Sequence, residues 1–124
     1  MFAELPKTLE LHGFRLARAE DELSRLQADF CKGMAHPTRI RILKSLEAGE
    51  KTVNELASLV GVTQANASQH LALLRQLGLL ATRRDGTSIF YSINDRRVME
   101  ACDLVRSCIE DRVKKSQMVL AVPP

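Results

Sequence analysis

Apolar residues recur at helical spacing over most of this chain. Leu16, Leu23, Leu26 and Phe30 fall along one side of a first helix, predicted over about residues 8–34. Pro37 suits the first turn of a second helix, where a missing N–H costs nothing. Ile40, Leu43 and Leu46 are predicted to face inward on that helix, which ends near Ala48-Gly49. Thr52 followed three residues later by Glu55 has the form of a capping box. Val53, Leu56, Leu59 and Val60 give the helix it opens an apolar face, and Gly61 closes it. Thr63 is placed to cap the next helix, which runs to about Leu77 with an inward stripe of Ala67, Leu71 and Leu74, and Gly78 stops it.

The period then drops from about 3.6 to about 2. Leu79–Arg84 and Thr87–Ile93 flank Asp85-Gly86, a dipeptide suited to a two-residue hairpin turn, with Ile89, Tyr91 and Ile93 on one strand face. The helical period returns from Asn94 or Asp95 to about Lys115, where Val98, Cys102, Val105, Ile109 and Val113 form one seam. The expected fold is therefore mainly α with a small β-hairpin, in a single domain over residues 1–124.

Residues 52–77 have the layout of a helix–turn–helix, and residues 79–93 follow it as a β-ribbon. The second helix of the pair turns Gln64, Asn66, Ser68, Gln69 and His70 away from its apolar stripe. Gln and Asn can pair bidentately with adenine in the major groove, and Ser can address a base or a phosphate. Ala65 is small enough to meet a thymine methyl, and Thr63 is placed to donate to phosphate. Arg83 and Arg84 precede the hairpin turn, where a wing needs cations to lie along phosphates or over the minor groove. Such a face also suits a merely solvated helix, and such a hairpin a merely solvated ribbon; their succession favours DNA recognition.

Composition narrows the alternatives. The chain has 124 residues with a net charge of +3, too small an excess to imply DNA by itself. Its location is more telling: residues 32–51 and 63–97 each carry a net +3, and the ends are neutral or acidic. Aromatics are only 4% and Trp is absent, which disfavours a surface that stacks single-stranded bases. No nucleophile–base pair, metal cluster or phosphate-cradling loop stands at workable spacing, so an enzyme is not expected. The start lacks a secretory pattern and the apolar run Met118–Val122 is too short to cross a bilayer, so a cytoplasmic protein without membrane association is expected.

Three runs together resemble one family. They are Met34-Ala35-His36-Pro37-Thr38-Arg39-Ile40-Arg41-Ile42-Leu43, then Val62 through Arg75 with Thr63-Gln64-Ala65-Asn66-Ala67-Ser68-Gln69-His70 at its head, and then Leu77-Gly78-Leu79-Leu80 with Arg83-Arg84-Asp85-Gly86 and Phe90-Tyr91-Ser92. They are similar to the second helix, recognition helix and wing of the ArsR/SmtB regulators, over roughly residues 30–95. The resemblance implies a winged helix–turn–helix, a homodimer paired through its N- and C-terminal helices, and a pseudo-palindromic double-stranded operator. It also implies repression relieved by a metal ion, a metalloid or a redox signal. A dimer also follows from apolar seams on both terminal helices, more stripe than one small core readily hides.

The family's known sensing patterns do not carry over. Thr52 and Asn54 stand where one metal site has thiolates, Asp103 has no histidine after it to complete a zinc site, and Lys44 occupies the position of a redox cysteine. Cys31, Cys102 and Cys108 remain as candidate sensing thiols. Three soft thiolates suit trigonal arsenite or another thiophilic ion. Cys102 and Cys108 lie on one helix, roughly 120° apart and about 9 Å along its axis, and so cannot pair within it. The bland alternative is that the cysteines are inert, since Cys commonly fills cores and Cys102 falls on the apolar seam. A winged helix used only to bind another protein is the further competitor.

Overall fold

The computed structural model describes residues 13–116. The elements run α1 (Gly13–Met34), α2 (Pro37–Leu46), β1 (Lys51–Thr52), α3 (Val53–Val60), α4 (Gln64–Gln76), β2 (Leu80–Asp85), β3 (Ser88–Ile93) and α5 (Arg96–Ser116). The predicted start of the first helix ahead of Gly13, and the tail beyond Ser116, lie outside the described residues. The chain divides into two units, the first ending at His36 and the second beginning at Pro37. In the first, Leu23 and Phe30 of the predicted α1 stripe are half-buried and Leu26 is exposed; the side chain of Leu16 lies outside the described residues.

The second unit is built on a packed trio, α2, α3 and α4. Ile42, Leu43 and Leu46 from α2, Leu56 from α3, and Leu71 and Leu74 from α4 are its fully buried large side chains. Burying each such side chain stabilises the fold by about 1.5–3 kcal/mol. Two predicted core residues lie outside it. Ile40 is 42% exposed, and its expected place is taken by Ile42, which lies with Thr38 and Leu46 in one i, i+4 row. Leu59 is 60% exposed, and Ala57 packs inward with Leu56 and Val60 instead. The apolar periodicity in α2 and α3 is wide enough to admit either set.

The capping expectations hold. Thr52 Oγ1 accepts the Glu55 N–H at 3.3 Å while Glu55 Oε1 accepts the Thr52 N–H at 3.0 Å. The Thr52 backbone N–H first, and then the Thr52 hydroxyl, which donates to the same Oε1 at 3.1 Å, hold the Glu55 carboxyl below its ordinary pKa. Gly61 ends α3 with φ 72°, a left-handed conformation that a side chain would strain. Thr63 Oγ1 then accepts the Asn66 N–H at 3.1 Å and opens α4.

The sheet has three antiparallel strands in the order β1-β3-β2. β1 was not expected, because two residues are too few to show alternation. Its pairing is Lys51 with Tyr91 and Thr52 with Phe90. In the hairpin Asp85 pairs with Ser88, so the two-residue loop is Gly86-Thr87, one position beyond the predicted Asp85-Gly86. Gly86 thus takes the first loop position with φ 63°, where primed hairpin turns require a positive value. Asn94 closes the hairpin onto the end of α4, its Nδ2 donating to the Gly78 carbonyl at 3.0 Å and its backbone N–H to the Leu79 carbonyl at 2.9 Å.

Asp95 caps α5. Its Oδ1 accepts the Arg97 N–H at 3.0 Å, and Arg97 Nη2 lies 2.6 Å from Oδ2. On α5 Met99 is buried and Val98, Cys102 and Val113 are half-buried, whereas Leu104, Val105 (60%) and Ile109 (55%) are exposed. Lys44 of α2 ties the helix down through Asp103 at 3.0 Å and also pairs with Glu47 at 2.9 Å.

Two outcomes test this fold. Leu71→Ala should cost about 2–5 kcal/mol in urea unfolding, and Leu59→Ala should stay within about 0.5 kcal/mol. The side-chain hydrogen bond from Arg97 first, and then its backbone N–H, lower the Asp95 carboxyl pKa from 3.8 to about 2. Because the folded value is depressed, the associated stability is present above the unfolded value and is lost as pH falls through about 2. A carboxyl-detected NMR titration should place the Asp95 midpoint there, and Arg97→Ala should return it toward 3.8.

Candidate nucleic-acid interface

The buried face of α4 determines what its other face presents. Ala67, Leu71 and Leu74 are entirely buried. At 100° per residue this places Asn66 and Ser68 about 100° and Ala65 and Gln69 about 160° round the helix from Ala67, and all four are exposed. Gln64 lies on the side of the buried stripe but is the first residue of α4, and it is exposed there, as is the capping Thr63. These side chains are short, and they combine donors, acceptors and one small apolar contact. That is the composition a major-groove reading helix needs.

His70, placed by sequence with this set, stands apart from it. It is half-buried, and Arg39 Nη1 of α2 lies 3.3 Å from its Nδ1. Arginine can only donate, so Nδ1 is the acceptor and the ring carries its proton on Nε2. His70 thus joins α4 to α2 at the rim of the exposed face. Arg39 Nε is buried and has no hydrogen-bond partner among the described residues. Arg39 was not singled out by sequence, since no spacing rule connects residues 31 positions apart.

The wing arginines also separate. Strand alternation puts Arg83 opposite Phe90 and Arg84 opposite Ile89, on the two faces of the ribbon. Arg84 is exposed and has no ion pair among the described residues. Arg83 lies over the Phe90 ring, 4.6 Å from its centroid, and grips Glu50 with both Nε (3.1 Å to Oε2) and Nη2 (2.5 Å to Oε1). It also lies 3.8 Å from Asp85. The Arg83 hydrogen bonds hold the Glu50 carboxyl below its ordinary pKa, and Glu50 raises that of Arg83 in return. Glu50 was not singled out by sequence, since its partner is 33 residues away.

Cys31 and Cys108 are exposed and Cys102 is half-buried, and none of the three is in a disulfide. Among the described residues no group of three or more His, Cys, Asp or Glu side chains is placed to hold a metal ion. No helix among them is long and apolar enough to cross a membrane.

A short helix, a left-handed turn, an outward polar helix and a β-ribbon bearing arginines define the winged helix–turn–helix class of DNA-binding proteins. The chain belongs to the ArsR family of bacterial regulatory proteins, whose profile matches residues 36–82. It is 41% identical over 90 residues to Rv0081 of Mycobacterium tuberculosis, an HTH-type transcriptional regulator, covering 72% of this chain and 79% of that one. The crystal structure of Rv0081 superposes with a TM-score of 0.68 over 77% of this chain and 96% of that one, at 40% identity. A homodimeric winged helix–turn–helix DNA-binding domain from Mycobacterium bovis, solved by NMR, gives a TM-score of 0.67 at 28% identity, over 85% and 94% of the two chains. A probable mercury resistance operon repressor of Streptomyces lividans is 32% identical over 77% of each chain. The chain is accordingly a DNA-binding transcriptional regulator with a mainly helical fold and a small antiparallel sheet.

One consequence is directly measurable. Thr63→Ala removes the only side-chain acceptor recorded for the first turn of α4 among the described residues. It should cost about 1 kcal/mol of stability in urea unfolding of the chain without DNA.

Proposed function

We propose that the chain is a repressor that binds a pseudo-palindromic operator as a homodimer and releases it when an inducer reaches its cysteine thiols. The observation that carries the DNA reading is the sorting of α4, with Ala67, Leu71 and Leu74 wholly buried and Gln64, Asn66, Ser68 and Gln69 exposed together. In this reading those four side chains read base edges, Ala65 meets a thymine methyl, and Thr63 donates to a phosphate. His70 contributes at the rim, and the wing lies along the phosphate backbone.

The exposed Leu104, Val105 and Ile109 support pairing through α5. They give one helix an apolar strip that a second copy would cover, and the homodimeric M. bovis relative is consistent with that. Two copies related by a two-fold axis present two α4 helices to successive major grooves.

The thiol reading rests on the exposure of Cys31 and Cys108, which lets an oxidant or a thiophilic ion such as arsenite reach them. The name of the S. lividans relative points to a soft metal as the type of signal.

Gel shifts with DNA from upstream of the chain's own gene test the assignment. Gln64→Ala should relax discrimination at one operator position by roughly 1–3 kcal/mol. Absence of retardation with any duplex would favour a protein-interaction module instead. Arsenite, cadmium, peroxide or persulfide should release the operator, and changing the responsible Cys to Ser should abolish the response. If no agent releases DNA, the cysteines are inert in signalling.

A further inference from the structure

The three-stranded sheet is crossed by one side chain. Arg83 starts on the outer strand β2, passes over the ring of Phe90 on the central strand β3, and ends on Glu50 at the residue before β1. Two residues after Glu50, Thr52 caps α3, the first helix of the helix–turn–helix. The guanidinium therefore joins the wing to the leader of the helix pair in addition to the backbone ladder. Both Glu50 Arg-facing oxygens are engaged, in the bidentate fork geometry that arginine favours. Arg84, on the opposite face of the ribbon, has no such partner among the described residues.

Two readings of this contact make opposite predictions. If Glu50 merely covers a DNA-contacting Arg83, removing Glu50 frees a cation and removes a negative charge. If the pair is a staple, removing Glu50 lets the wing drift relative to α4, so the same phosphate contacts form only at an added ordering cost.

We propose that Arg83 is a positioning residue and not a phosphate contact, that with Glu50 it staples the wing to the strand leading into α3, and that Arg84 supplies the wing's phosphate contact. This rests on the reading that the wing meets DNA. The bidentate grip and the stacking favour the staple: a phosphate would have to break two hydrogen bonds and displace a planar group from an aromatic face. The spacing between wing and recognition helix decides whether both reach one duplex, so a fixed staple favours association.

The test uses the full chain and a mixed-sequence DNA duplex, titrated over a range of salt concentrations by fluorescence anisotropy. Non-specific binding is dominated by phosphates, so no operator needs to be known. Arg83→Ala and Glu50→Ala should each weaken binding about fivefold, the double variant no further, because an exposed pair contributes modestly and the two act as one unit. Arg83→Lys keeps the charge but loses the fork and the stacking, and should weaken binding by a similar factor. The slope of log K against log salt should be unchanged by Glu50→Ala and Arg83→Ala but should fall by about 0.9 with Arg84→Ala. Tighter binding by Glu50→Ala, a slope lost with Arg83→Ala, or full rescue by Arg83→Lys overturns the proposal.

An NMR readout separates this proposal from the DNA reading itself. The Arg83 Nε–H should give a protected signal in the wild-type chain that disappears in Glu50→Ala. If the wild-type chain binds no duplex, the DNA reading fails. The staple still stands or falls by that signal, and its persistence in Glu50→Ala refutes it.

Discussion

The rotation of α4 about its own axis is the constraint on which the rest of the second unit depends. Ala67, Leu71 and Leu74 are buried without remainder among Ile42, Leu43, Leu46 and Leu56. A helix has no freedom to hide those three and also hide Ala65 or Gln69, on its opposite side. Ala67 matters by its size, because a larger residue there would push the first turn of α4 away from α2 and α3. The left-handed Gly61 and the Thr63 cap then determine where along its axis the helix begins. Packing, turn and cap thus point to the same placement of the polar face.

Electrostatics adjusts this picture less by net charge than by pairing. The basic excess of the two central segments is not all available to a phosphate backbone. Lys44 is engaged by Glu47 and Asp103, which raise its pKa, with Glu47 the larger cause. Arg97 is held by Asp95 and Arg83 by Glu50, while Arg39 faces His70. Arg75 and Arg84 are exposed and without an ion pair among the described residues. Exposed pairs of this kind contribute little to stability, but they decide which cations point outward.

The helix–turn–helix was legible in the sequence because its signals agree: a capping box, a glycine stop, a second cap and a short apolar stripe, each with a local cause. Ile40 and Leu59 were misplaced because periodicity records that a residue is apolar, not what covers it. In α5 the same ambiguity has the opposite outcome: Val105 and Ile109 lie on the predicted seam yet remain exposed within one chain. β1 escaped notice because two residues carry no period, and the hairpin loop shifted by one because both Asp85-Gly86 and Gly86-Thr87 supply the needed glycine. The long-range pairs Glu50–Arg83 and Arg39–His70 were invisible for a simpler reason. Each joins residues more than 30 positions apart, and only the folded chain brings them together.

Asn94 carries a mechanical implication. Its two hydrogen bonds, to the Gly78 and Leu79 carbonyls, pin the start of the last helix to the chain just beyond α4. The hairpin between them is therefore a closed excursion that leaves and returns at one point. The shortest link from the start of α5 to the end of α4 is thus two hydrogen bonds, and it bypasses the whole length of the wing.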